Sequence, residues 1–270
     1  MSLVRIAARI ALVEALKGRT LAGDNVKDSD IGAIDIAADG SIRTGQDQHF
    51  IVVYADAAAM TREDGDLRSL KENGATDLLF EWGITSAMSE TNAAGESVIT
   101  DAGLAATDAN MERVLDLIGV QIRNVLTDPV NAWAEIWRTL ASGGYAKVEL
   151  ARASNADAGV RLTAQQLKIT ALLMDEPVAG EALPAPFPDF FDRLDTSGDA
   201  SLVQISALMQ AQLVGANEAW QTVQRRSGLT LDELLALGIA PLETDDGSVG
   251  EIASVSIEVE GHGSEEVSEA

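Results

Sequence analysis

The sequence predicts an α+β fold: an N-terminal helix and a helix pair packed on a mixed or antiparallel sheet of about four strands. Three observations lead there. Apolar residues recur at helical spacing over 3–17 and again over 107–140. Runs of β-forming residues fall at 50–54, 78–85, 145–153 and 161–174. Five of the six prolines lie between Pro177 and Pro241, four of them within 177–188, so a sheet core should end before them. The chain then divides into a core at 1–176, a proline-rich linker with short helices at 177–242, and an acidic tail with one short strand at 243–270.

In the first helix Leu3, Ile6, Ile10, Val13 and Leu16 form one stripe, with Arg5, Arg9, Glu14 and Lys17 largely off it. Gly18 stops it, since a left-handed backbone costs glycine little. Residues 21–48 are rich in Gly, Asp and Ser and read as loop with short extended pieces. Phe50–Tyr54 is apolar on both faces, as a buried central strand requires. Turn signals at Asp64-Gly65 and Asn73-Gly74 punctuate a charged stretch. Leu78, Phe80, Trp82 and Ile84 then alternate with Leu79 and Glu81 in a second strand reaching about Thr85. Residues 86–103 are polar and read as a mobile connection.

The strongest helix begins at Thr107-Asp108, both competent N-caps. Its core face is Met111, Val114, Leu115, Ile118, Ile122, Val125 and Leu126. Asp128-Pro129 ends it, and Pro129 is suited to open the next helix. That helix carries Val130, Trp133, Ile136, Trp137 and Leu140, and Ser142-Gly143-Gly144 closes it. Trp133 and Trp137, one turn apart, read as core or, more sharply, as anchors of a subunit interface. Two strands follow. Tyr145–Ala153 sets Ala146, Val148 and Leu150 on one side, and Arg161–Met174 sets Leu167, Ile169, Ala171 and Leu173 on one face. Broken alternation at 162–166 suggests a bulge, and a helix competes there. Short helices are expected at 189–194, 201–213, 218–226 and 231–237, the last capped by Thr230. In the tail Val255, Ile257 and Val259 alternate and are suited to extend a sheet edge, in their own subunit or a neighbour. The final Gly-Ser-Glu-Glu stretch has the composition of disorder.

The net charge is −24, and the densest basic spot is Arg225-Arg226. Tight nucleic-acid binding needs clustered Lys and Arg, so it is not expected. Acidity of this size keeps copies soluble, or forms a channel wall that does not grip DNA. There are no cysteines, which removes disulfides, thiolate nucleophiles and the usual structural zinc sites. His49 and His262 read as solvated loop histidines. No apolar stretch reaches 18 residues, so no membrane span is expected. Arg5 and Arg9 interrupt the first helix, which is therefore not a signal peptide, and synthesis in the cytoplasm is expected.

Catalytic equipment is sparse. No phosphate loop, nucleophile elbow or His-Glu zinc motif occurs. Asp24, Asp28, Asp30 and Asp35 lack the glycine and glutamate positions of a calcium loop. Asp192, Asp195 and Asp199 read as a helix end and a turn. Among 43 acidic residues, chance carboxylate pairs are unavoidable. No catalytic, cofactor-binding or metal-binding residue is therefore assigned, and no cofactor is expected.

One ordered set of motifs points further. Val4-Arg5-Ile6-Ala7-Ala8-Arg9 leads to Lys17-Gly18-Arg19-Thr20-Leu21-Ala22-Gly23-Asp24-Asn25-Val26, then Asp28-Ser29, then the strand Phe50–Asp56. This resembles the opening of the tail terminator proteins of long-tailed phages of proteobacteria. The order strand, long helix, shorter helix, strand agrees with it, as does the segment ending in Asp175-Glu176-Pro177. Ser227-Gly228-Leu229-Thr230 to Leu237-Gly238-Ile239-Ala240-Pro241-Leu242 is similar to the end of the family's larger members. About half of the chain is covered, by motifs that are specific as a set and weak singly.

The resemblance implies a virion structural protein of the tail and neck. It implies a homo-hexameric ring that stops tail-tube polymerisation and meets the head-tail connector, with DNA passing through its lumen unbound. Axial contacts would fall on the loops at 57–73, with Arg62, Arg68 and Lys71, and at 86–103, with Glu90. The region after Pro177 would face outward or clasp a neighbour. Other neck components, such as connectors or completion proteins, share this ring logic. Rivals of a different class are an acidic-site hydrolase and a cytoplasmic scaffold unrelated to phage.

Overall fold

A computed structural model describes residues 2–30, 35–36, 42–43, 48–60, 68–85, 88–155, 162–239, 255–259 and 263–267. Its centre is a mixed sheet of five strands. Helix α1 (Leu3–Leu16) leads through a turn into β1 (Val26–Asp28), and the short strands β2 (Asp35–Ile36) and β3 (Ile42–Arg43) pair with each other. Then come β4 (Phe50–Ala59), β5 (Ala75–Thr85), β6 (Ser89–Thr91) and β7 (Ser97–Ile99). Helices α2 (Asp108–Thr127) and α3 (Ala132–Leu140) precede β8 (Tyr145–Asn155) and β9 (Leu162–Leu172). Helices α4 (Phe187–Asp195), α5 (Ala200–Ala211), α6 (Ala219–Ser227) and α7 (Leu231–Ala236) follow, and β10 (Val255–Val259) and β11 (Gly263–Val267) form a closing hairpin. The main sheet runs β1-β4-β5-β9-β8, with only the β1–β4 pair parallel.

Three helices cover one sheet face: α1 packs on β1 and β4, α2 on β5 and β9, and α3 on α1. The expected core face of α2 is the buried one, residue for residue. On β5, Leu78, Phe80, Trp82 and Ile84 are all fully buried. The Trp82 indole N–H donates to the Leu115 carbonyl of α2 at 3.0 Å, so a large ring enters the core with its polar atom satisfied. α1 is enclosed by the sheet and two helices, so its buried surface is wider than one stripe. Val4, Ala7, Ala8, Ala11, Leu12 and Ala15 join Ile10, Val13 and Leu16, while Leu3 and Ile6 stay partly exposed.

The α+β class is as the sequence predicts, and the main sheet has a fifth strand, β1, whose three residues are too few to show alternation. Several other expectations are corrected. Within the stretch read as a mobile connection, residues 88–103 hold a hairpin: β6 and β7 pair, with Met88, Val98 and Ile99 buried as anchors. The Asn92 side chain closes that turn, accepting from the Ala94 and Glu96 N–H groups at 2.9 Å each. Helix α3 starts at Ala132, not Pro129. Asn131 caps it from the Trp133 and Ala134 N–H groups and donates to the Ala15 carbonyl at 3.0 Å. Val130 therefore lies outside the helix and is 84% exposed.

No bulge occurs at 162–166, where β9 pairs with β5 without a break. The alternation failed there because Thr163 and Gln165 face the helices as polar residues. They donate to Glu112 at 2.8 Å and Asp116 at 2.7 Å on α2. Bulges fall instead between Ala55 and Ala58 and between Tyr145 and Lys147. His49 is not a solvated loop residue. It is 1% exposed beneath the 99–101 turn, with Nε2 2.8 Å from the Thr100 carbonyl oxygen, so Nε2 carries the hydrogen. His262 lies outside the described residues. The Gly-Ser-Glu-Glu stretch, read as disordered, forms β11.

Past Pro177, Phe187, Phe190, Phe191, Leu194, Met209 and Leu213 join the same hydrophobic cluster as the sheet and its helices. Trp133 meets Phe190 edge-on at 6.1 Å, with the Arg193 guanidinium 5.9 Å from its ring centre. α6 and α7 are attached differently. α6 buries no side chain and α7 buries only Leu234. Among the described residues, no helix is long and apolar enough to cross a membrane.

Candidate interaction surfaces

The turn after α1 is built by the residues of the opening motif. Gly18 has φ +67 and donates to the Gly23 carbonyl at 2.8 Å, and Gly23 donates to Thr20 at 2.9 Å. Arg19 pairs with Asp128 at 3.7 Å, and the Leu21 N–H donates to Gln121 at 2.9 Å, so the turn is tied to α2 and its end. Asn25 donates to the His49 carbonyl at 3.0 Å, which aligns β1 along β4. Two of the acidic loop residues are used by cations: Asp28 pairs with Arg9, and Asp30 with Lys27 at 2.8 Å. Among the described residues, no three His, Asp or Glu side chains are grouped to hold a metal ion.

The two loops expected to make axial contacts lie at opposite ends of β5. One precedes Ala75 and the other follows Thr85, so they are roughly 33 Å apart at about 3.3 Å per residue. At the first end Leu70 is 87% exposed and Arg68 forks onto Glu233 of α7 at 2.6 and 2.9 Å. That fork, with hydrogen bonds from Thr230, holds the Glu233 carboxyl down at about 2. Arg62 lies outside the described residues. Lys71 lines a cleft of about 560 Å³ between the 69–72 turn, the end of β9 and the 175–184 segment. Arg226 and Glu181 meet at its rim at 2.5 Å. At the opposite end Glu90 is exposed on β6.

Glu176, in the wall of that cleft, reaches back to the start of the chain. Its carboxylate accepts from the Leu3 and Val4 N–H groups at 3.0 Å each and from Asn73 at 3.3 Å. A negative charge thus sits on the positive end of α1.

Of the two tryptophans, Trp137 is wholly buried and stacks on Tyr145 at 6.0 Å. Trp133 is half-buried against α4, so both rings are engaged within the chain. Val255, Ile257 and Val259 lie on β10, whose described partner is β11 rather than the main sheet.

On the sheet face away from the helices, β5 and β9 carry a polar network. Lys168 bridges to Asp77 at 2.7 Å, Thr170 donates to the same carboxylate at 2.6 Å, and Gln166 donates to Glu81 at 2.7 Å. Burial raises the Asp77 pKa, but Lys168 and Thr170 outweigh it, and the group stays below its ordinary value. Tyr54 donates to the Asp30 carbonyl at 2.8 Å. Its hydroxyl is pushed up to about 12, by burial first and then by Glu81 and Asp30.

Three apolar surfaces had not been read from the sequence. Leu117 and Val120 project from the outer face of α2, each 50% exposed. Leu231, Leu235, Leu237 and Ile239 are 40–61% exposed on and beyond α7. Tyr145, Val148 and Leu150 are 50–53% exposed on β8. The first was legible, because both residues fall opposite the core face at helical spacing. Neither a family model nor a curated protein matches this chain.

Proposed function

We propose that the protein is a tail terminator of a long-tailed phage, a virion structural protein that closes the tail tube at the neck. The observation that carries this reading is the ordered opening segment from Val4 through Gly18-Arg19-Thr20 and Ala22-Gly23-Asp24 to the strand ending in Asp56. In the fold that segment supplies a core helix, a fixed turn and two sheet strands, as the framework of a subunit would.

Capping requires no catalytic residue. It requires a ring with two unlike axial faces, one matching the last tube ring and one refusing another. Strands standing along the ring axis would put the 57–73 loop on one face and the β6–β7 hairpin on the other, which supports the reading. Six copies would carry a formal charge of −144, six times −24, and an acidic lumen would let DNA pass without adhering. The partners would be five further copies, the tail tube protein and the head-tail connector.

The test is to purify the full chain and image it alone and with polymerising tube protein. Rings of six that halt tube growth at one end are expected. A monomer that leaves tube length unchanged would overturn the reading.

A further inference from the structure

β8 is an edge strand of eleven residues with β9 on one side and no other ladder among the described residues. β3 lies beside it but is hydrogen-bonded to β2. Tyr145, Val148 and Leu150 are half-exposed apolar residues on this edge. On the opposite sheet face Lys147 and Glu149 sit two residues apart, 63% and 47% exposed and 2.8 Å from each other. Long exposed edges are templates for pairing with another chain.

We propose that β8 pairs antiparallel with β8 of a second copy, with Val148 on the two-fold axis. This register sets Lys147 opposite the partner's Glu149 and Glu149 opposite the partner's Lys147, two complementary charge pairs from one symmetric contact. It also sets Val148 against its own counterpart and Leu150 opposite the partner's Ala146. Centring the pair on Leu150 would put Glu149 opposite the partner's Ala151, and centring it on Ala146 would put Lys147 opposite the partner's Tyr145. Both lose the charge match. The other sheet edge is a poorer partner, because β1 has three residues against the eleven of β8.

The pairing does not rest on the ring reading. It is isologous, whereas contacts around a ring are heterologous. Pairing alone gives two copies, a ring alone gives six, and both together give twelve.

The chain has no cysteine, so a single introduced one reports unambiguously. Val148→Cys should oxidise to a disulfide-linked dimer, whereas Leu117→Cys, equally exposed on α2, should not. Lys147→Glu and Glu149→Lys should each weaken self-association at least tenfold, measured by sedimentation on variants whose melting matches wild type. Mixed together, those two variants should re-form a pair, since their charges then complement. Equal cross-linking at 148 and 117, or a mixture that associates no more than either variant alone, would overturn the proposal.

Discussion

Removing the Glu176 carboxylate should loosen the start of the chain although residue 176 is far from it in sequence. Glu176→Ala leaves the Leu3 and Val4 N–H groups without their acceptor, and Val4 is fully buried, so water cannot replace both bonds. Hydrogen bonds to a charged group contribute about 1.5–3 kcal/mol, and a charge at a helix N-terminus about 0.3–1 kcal/mol in part of the same interaction. A net loss of about 2–3 kcal/mol follows. For 270 residues, unfolding entropy of about 2.1 cal/mol/K per residue converts this to a melting shift of roughly 4 °C. Glu176→Gln keeps one acceptor but turns an amide N–H toward the helix, so it should recover no more than about half. The assay is urea unfolding followed by far-UV dichroism, with hydrogen exchange at Val4 as the local readout. A Glu176→Ala variant within about 0.5 kcal/mol of wild type, with Val4 still protected, would refute the reasoning.

Asn131→Ala removes a cap and strands the Ala15 carbonyl in a site 1% exposed, so a loss of about 2–3 kcal/mol is expected in chemical unfolding. Phe187→Ala should cost about 3–5 kcal/mol and move a single calorimetric transition, because its ring belongs to the common cluster. A separate transition that alone shifts would show that 177–242 unfolds independently. Gly228 has φ +66, and a Cβ there would lie 2.4 Å from the Arg68 carbonyl oxygen, so Gly228→Ala should expose the α6–α7 arm to limited proteolysis while the sheet stays protected. The Arg68–Glu233 contact depresses a carboxylate pKa, so its contribution is present above the unfolded value near 4.5 and fades as pH falls toward about 2. Arg68→Met should return the Glu233 titration, followed by NMR, toward the ordinary carboxylate range.

Helix α2 was legible in full because one face supplies its whole core contact, and periodicity alone reports that. β5 was legible for the same reason, since Leu78, Phe80, Trp82 and Ile84 all face the helices and are fully buried. β8 shows the limit. Val148 and Leu150 alternate like a half-buried strand, yet strand order sets β8 beyond the cover of α2, and order is not written in local pattern. His49 was misread because its burial depends on the 99–101 turn folding over it. For the candidate surfaces, the sequence located the two loops, and only the sheet revealed that they sit at opposite ends of one strand. The two helices of the α6–α7 arm were legible, but their attachment through Arg68–Glu233 and Arg226–Glu181 was not, because long-range ion pairs leave no periodic trace.

The place of β5 in the sheet also sets an order of events during synthesis. One neighbour, β4, precedes it, but the other, β9, is encoded after both α2 and α3. A nascent chain that has just released β5 therefore presents eleven residues of open strand edge, Leu78, Phe80 and Trp82 among them, while two helices are still being made. Each new chain passes through an interval in which its central strand can be captured by another. Contacts of this sequence separation also close slowly. Yield on overexpression should accordingly depend on the rate of translation between residues 85 and 172 more than on the stability of the finished fold.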